Sequence, residues 1–199
     1  MRAQRQLLAY LILVGGLWWL GGCGPRSSAP RFSPQDVLVD LSVFPAGWFV
    51  AIPPGPVRER LGQVEGADIQ FLADDPRLIG ARHLVLRYQG EWVAAWRYEQ
   101  LQRSWFNSNS ILSVTPWRVP GQLPYRSPVA DKSRFACHES DVAGLATICE
   151  FMGLYGEYVV IFHTVMTPED MQPRSYMTFQ DLARILRAID EKMAVHLRR

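Results

Sequence analysis

Lysine is almost missing from this chain. Of 21 basic residues, set against 19 acidic ones, only Lys132 and Lys192 are lysines, and the arginines form no run. Without a basic stripe interleaved with aromatics, there is no electrostatic footprint for nucleic acid. Signatures of chemistry are missing as well. The serines sit in no GxSxG elbow and no Ser-x-x-Lys pair. There is no GxGxxG or P-loop to cradle phosphates and no HExxH to hold a metal. Asp74-Asp75 runs into Pro76 and reads as turn chemistry, not as a pair of catalytic carboxylates. His83 and His163 fall in strand-like segments, where an isolated ring is more often structural than a ligand. These absences argue against an enzyme, a metal centre and a cofactor.

What the chain does have begins at its start. Arg2 and Arg5 precede an apolar stretch, Leu7 to Leu20, with no acid before Cys23. The stretch falls short of the roughly 20 residues that a spanning helix needs. Positive charge ahead and small residues behind make it an export signal. Leu20-Gly21-Gly22-Cys23 resembles the lipobox of bacterial lipoproteins. The resemblance implies cleavage before Cys23, two or three acyl chains on that residue, and a stable anchor at the extracytoplasmic face of the cell membrane. In a bacterium with two membranes, Gly24 in place of Asp implies the outer one. The other reading is a signal cut conventionally, or not at all, beside an incidental cysteine.

Residues 1–22 are thus expected to be a signal peptide. Residues 23–33 would be the lipidated cysteine and a flexible Gly/Pro/Ser/Arg tether, and 34–199 a single domain. Losing Arg2 and Arg5 takes the basic count from 21 to 19, level with the 19 acids, so the mature protein is near neutral. Seven Trp, seven Tyr and nine Phe argue for a filled core in place of a disordered stalk.

Cys137 and Cys149 remain once Cys23 is committed to lipid, and an exported pair of this kind predicts a disulfide. Strands Arg134–Ser140 and Ala146–Met152 around a turn at Val142-Ala143-Gly144 would set the two cysteines directly opposite each other. The spacing is not CxxC, so a bridge is favoured over a redox pair or metal site. In the same hairpin, alternation sends His138 and Ser140 to the face opposite Cys137 and Glu139, which separates the densest polar cluster.

Elsewhere, Ser33-Pro34-Gln35-Asp36 carries the marks of a helix start, with that helix ending before Pro45. Trp48–Ile52 reads as a strand broken by Pro53-Pro54-Gly55-Pro56. Ile69–Leu72, His83–Gln89 and Tyr158–Val165 are further strands, and Glu91–Phe106 is a helix. Asn107–Gly121 is expected to be a surface connection carrying Trp117. Thr178 caps a last helix striped by Phe179, Leu182, Ile185, Leu186, Ile189 and Met193. The fold class is α+β, an antiparallel sheet packed against helices, with a long C-terminal helix and one hairpin disulfide. In element order, disulfide hairpin and final helix it resembles PsbP-like domains and some extracytoplasmic sensor domains.

Trp92, Trp96, Trp105, Phe106 and Trp117 crowd the middle of the chain, among Arg97, Arg103 and Arg118. Tryptophan and arginine anchor many partner interfaces. Trp96, Arg97, Trp105, Trp117 and Arg118 are the residues expected to bind a partner. The resulting expectation is a lipid-anchored, non-catalytic module that binds an envelope protein. The alternatives are a carrier or sensor of a small apolar ligand beneath the Glu91–Phe106 helix, and a hydrolase without a recognisable motif.

Overall fold

A computed structural model describes residues 32–58, 62–74, 80–107, 115–140, 146–166 and 177–197. The signal, Cys23, all of the tether before Phe32 and the expected turn at Val142–Gly144 lie outside them. Six strands form one antiparallel sheet: β1 (Trp48–Pro56), β2 (Gln63–Ala73), β3 (Gly80–Tyr88), β4 (Lys132–Ser140), β5 (Ala146–Tyr155) and β6 (Tyr158–Met166). Their spatial order is β1-β2-β3-β6-β5-β4. Helix α1 (Glu91–Trp105) covers one face, and helix α2 (Phe179–Leu197) the other. The architecture is the α+β one that the sequence predicts.

Alternation in β5 and β6 explains the two layers. Phe151, Tyr155, Val160 and Phe162 point at the stripe Leu182, Ile185, Leu186, Ile189 and Met193 of α2. Met152, Leu154, Val159 and Ile161 point the other way, against Ala94, Tyr98 and Leu101 of α1. With both faces buried, these strands read as continuous apolar runs. Each such side chain contributes about 1.5–3 kcal/mol by leaving water. Thr178 starts α2 as expected: its hydroxyl accepts from the Asp181 amide at 3.1 Å, and the Asp181 carboxylate accepts from the Thr178 amide at 3.1 Å. Lys192 then ties α2 to the N-terminal segment, donating to the Leu38 carbonyl at 2.6 Å and to Asp40 at 2.7 Å.

The predicted hairpin is present. Cys137 pairs with Cys149 across β4 and β5, and the two are disulfide-bonded with Cα atoms 4.1 Å apart. Three expectations need correction. The helix expected from Pro34 is two 3-10 turns, Pro34–Val37 and Leu41–Val43. Its capping box is there, but the Val39 amide donates to His83 on β3 at 3.1 Å, and that tertiary bond draws the chain out of the helix. Pro53-Pro54-Gly55-Pro56 does not end β1, which continues to Pro56. An edge strand can dispense with ladder donors on its open side, and the ladder absorbs the prolines through two register shifts. Finally, the connection after α1 is not purely a surface loop. Thr115 and Arg118 pair with Glu139 and Cys137 along the outer edge of β4.

Candidate functional site

Residues 115–131 form a strap that wraps the β4 edge of the sheet. At its start, Trp117 lies on the α1 side, 4.1 Å from the His138 ring and 5.1 Å from Phe106. The Arg134 guanidinium lies over the same Phe106 ring, 4.3 Å from its centre. Further on, Leu123 and Tyr125 have crossed to the α2 side. Arg118 sits at the crossing, its amide and carbonyl bonded to Cys137 at 2.9 and 2.8 Å. The strand it leans on is the one braced by the disulfide. Covering β4 in this way, with the prolines of β1 at the opposite edge, protects both sheet edges from further pairing.

A buried acid holds the far end of the strap. Asp190 of α2 accepts hydrogen bonds from Tyr125, from Ser127 at 2.7 Å and from Tyr155 at 2.6 Å. Ser127 also accepts from the Val129 and Ala130 amides, at 3.2 and 2.9 Å. Burial, reinforced by the Asp190 carboxylate, pushes both phenols far above the ordinary tyrosine range, so they stay protonated and donate. Tyr155 reaches Asp190 by folding over Gly153, where a Cβ would stand 2.5 Å from its ring. The cluster clamps the strap; its hydroxyls are committed to Asp190 and are not free to act on a substrate.

Between these two fixings, Arg118, Val119, Pro120, Gly121 and Gln122 border a hollow of about 340 Å³ completed by Cys137–Glu139, Thr147 and Phe179. The Arg118 side chain is 68% exposed, and among the described residues its charged contact is Glu139 at 3.5 Å. An exposed pair at that distance contributes little, so the guanidinium is available to a better acceptor. Val119 adds an exposed apolar group beside it.

The five expected partner-binding residues do not form one patch. Trp117 and Arg118 belong to the strap. Trp105 is half-buried against the core under α1. Trp96 is 43% exposed on the outer face of α1, with the Arg97 guanidinium 5.8 Å from its ring centre. Beside it, Trp92 is 78% exposed and was not among the five. Its position four residues before Trp96, off the Ala94–Tyr98–Leu101 stripe, is the signal that marks it.

The histidines divide by role. His83 is fully buried on β3, accepts from Val39, and burial with nearby Lys192 lowers its pKa to about 3. It is a neutral structural acceptor. His138 lies under Trp117, with its Nδ1 3.1 Å from the Glu139 carbonyl. His163 pairs with the buried Glu150 carboxylate at 2.8 Å, and its neighbours in register are Arg82 and Glu150. Sequence reasoning missed that pair. Glu150 and His163 are equidistant from the Gly156-Glu157 turn, which would have found it. No group of three or more metal-type ligands occurs among the described residues. No protein-family model, curated protein or solved structure matches this chain; its own geometry is what bears on its function.

Proposed function

We propose that this chain is a lipid-anchored, extracytoplasmic module that binds a protein of the cell envelope and carries out no chemistry of its own. The strap around Arg118 supports this reading. Interfaces are anchored by arginine and aromatic groups held in place before binding, because preorganisation removes the entropy of ordering them. Here an exposed guanidinium rests on backbone bonded twice to a disulfide-braced strand, beside an apolar residue and a hollow large enough for a partner's side chain. The partner should offer a carboxylate to Arg118 and an apolar group to Val119. A ligand carrier has less support, since Ala94, Tyr98 and Leu101 fill the space beneath α1 against Leu84, Leu86, Met152 and Ile161.

Native mass spectrometry of the full protein, extracted gently from its own membrane, tests the proposal. The expected result is a mass for acylated Cys23 with a reproducible protein companion, and an Arg118→Ala variant that loses the companion but keeps the acyl mass. A lone protein carrying a small bound mass would overturn this reading in favour of a carrier. A companion indifferent to Arg118→Ala would show that the strap is not the interface.

A further inference from the structure

We infer that the end of the domain where the tether enters rests on the bilayer surface, with Trp92 and Trp96 in the headgroup region. The inference rests on the acylation of Cys23. From there the observations concern the folded domain. Phe32, the first described residue, stacks on Tyr158 at 4.1 Å and lies 5.0 Å from His196 near the end of α2. The Tyr158 hydroxyl donates to the Phe32 carbonyl at 2.9 Å. The tether therefore joins the domain at a fixed point.

That point lies at the same end as the start of α1. Glu91 and Ala95 of α1, Gly156 of the β5–β6 turn and Leu197 of α2 line a common hollow of about 400 Å³. Leu197, itself exposed, lines it, and the next residues along α1 from Glu91 and Ala95 are the exposed Trp92 and Trp96. Chain length does the rest. Nine residue steps separate Cys23 from Phe32, and fully extended they span at most about 30 Å. Cys23 acylation would thus hold this end within about one bilayer thickness of the lipid, and the Arg118 end of the strap, at the other end of β4, farther out. Tryptophan, with an apolar body and one N–H, favours the membrane–water interface over either phase alone.

Electrostatics narrows the kind of surface. Lys132 is paired with Glu99 at 2.8 Å, and Arg87 with Glu65 at 3.0 Å and Glu157 at 3.8 Å. Glu91 and Asp131 add acid beside the hollow. Among the described residues that line it, the hollow carries acid and no cation, so the contact we infer there is apolar and interfacial, suited to zwitterionic headgroups. A polybasic contact would behave differently.

Full-length protein, its acylation first checked by intact mass, can be reconstituted into phosphatidylcholine vesicles brominated near the headgroup end of the acyl chains. Tryptophan fluorescence is then read for the wild type and for Trp92→Phe/Trp96→Phe. Both positions are exposed, so the double variant keeps the fold. The expected result is lipid-dependent quenching in the wild type, most of it lost in the double variant, with little change on adding phosphatidylglycerol or salt. Equal quenching in both proteins, or none, with Cys23 acylated would overturn the docking while leaving the anchor intact. Quenching that appears only with phosphatidylglycerol would overturn the zwitterionic contact. A mass without acyl chains would remove the anchor and the docking inference with it.

Discussion

Helices α1 and α2 cover opposite faces of one sheet, yet they are held in different ways. Along α2, Leu182, Ala183, Ile185, Leu186, Ile189, Asp190 and Met193 are buried, and Thr178 caps its start. Along α1 only Ala94, Tyr98 and Leu101 are buried, and Gly90 supplies no side-chain cap. The large aromatic side chains are distributed against that logic. The strongly held helix exposes few big rings, while the lightly held one turns Trp92 and Trp96 outward. A helix needed only as a cover would carry polar residues at those positions. The contrast separates a face closed by its own contacts from a face that leaves aromatic surface exposed.

Removing Asp190 should break that contrast most severely. Asp190→Ala takes the acceptor from three hydroxyls, the buried ones of Ser127 and Tyr155 and the part-buried one of Tyr125. The expected loss is about 3–5 kcal/mol, read as a lower midpoint in denaturant-induced unfolding. The strap should also loosen, so protease cutting within residues 119–122 should rise before global unfolding. A loss under about 1 kcal/mol would mean that the clamp is dispensable and α2 is held by its apolar stripe alone.

Asp190 also shows how far the sequence could be read. It lies four residues after Leu186 and three before Met193, so its place on the buried face was visible in the helical spacing. Its partners Tyr125 and Ser127 were not visible, because no local pattern links them to a helix more than sixty residues away. The disulfide was readable because pairing in a hairpin follows from distance to the turn. The prolines of β1 misled because nothing local marks β1 as an edge, and the 3-10 turns misled because their capping signals were real but were outbid by a bond to His83. On α1, the spacing of Ala94, Tyr98, Leu101 and Trp105 marks one helical face, of which the first three are buried and Trp105 is half-buried. Of the candidate site, Trp117 and Arg118 could be named in advance. Their union into a strap around β4 could not, since it depends on contacts to Glu139 and Cys137 across a chain reversal.

A pH-dependent effect on the α2 side, small near neutral pH, concerns His83. Its pKa of about 3 in the fold is below the ordinary 6.5. Below pH 6.5 the unfolded chain takes up a proton that the folded one refuses, so this residue's contribution to stability is full above pH 6.5 and falls toward pH 3. The slope should approach 1.4 kcal/mol per pH unit, roughly, within that window. Carboxylates titrate there too, so the measurement is the difference in unfolding free energy between the wild type and His83→Gln at several pH values. That difference should change steadily between pH 6.5 and 3 and be flat above. A difference independent of pH would show that the buried ring is protonated as readily as a free one.

The smallest expected effect is the most telling about α1. Trp92→Ala removes the largest exposed ring on the helix, yet stability should change by less than about 0.5 kcal/mol, because the ring already faces water. Leu186→Ala on α2 removes a smaller side chain and should cost about 2–5 kcal/mol, because it empties a closed core. Unfolding of the two variants side by side sets size against burial. If Trp92→Ala proved as damaging as Leu186→Ala, the ring would be supporting the fold, and α1 would have no spare surface to present. If it is silent in stability, Trp92 contributes nothing to the isolated domain that a smaller residue could not. Its ring, 78% exposed, is then available for contact with a surface outside the chain.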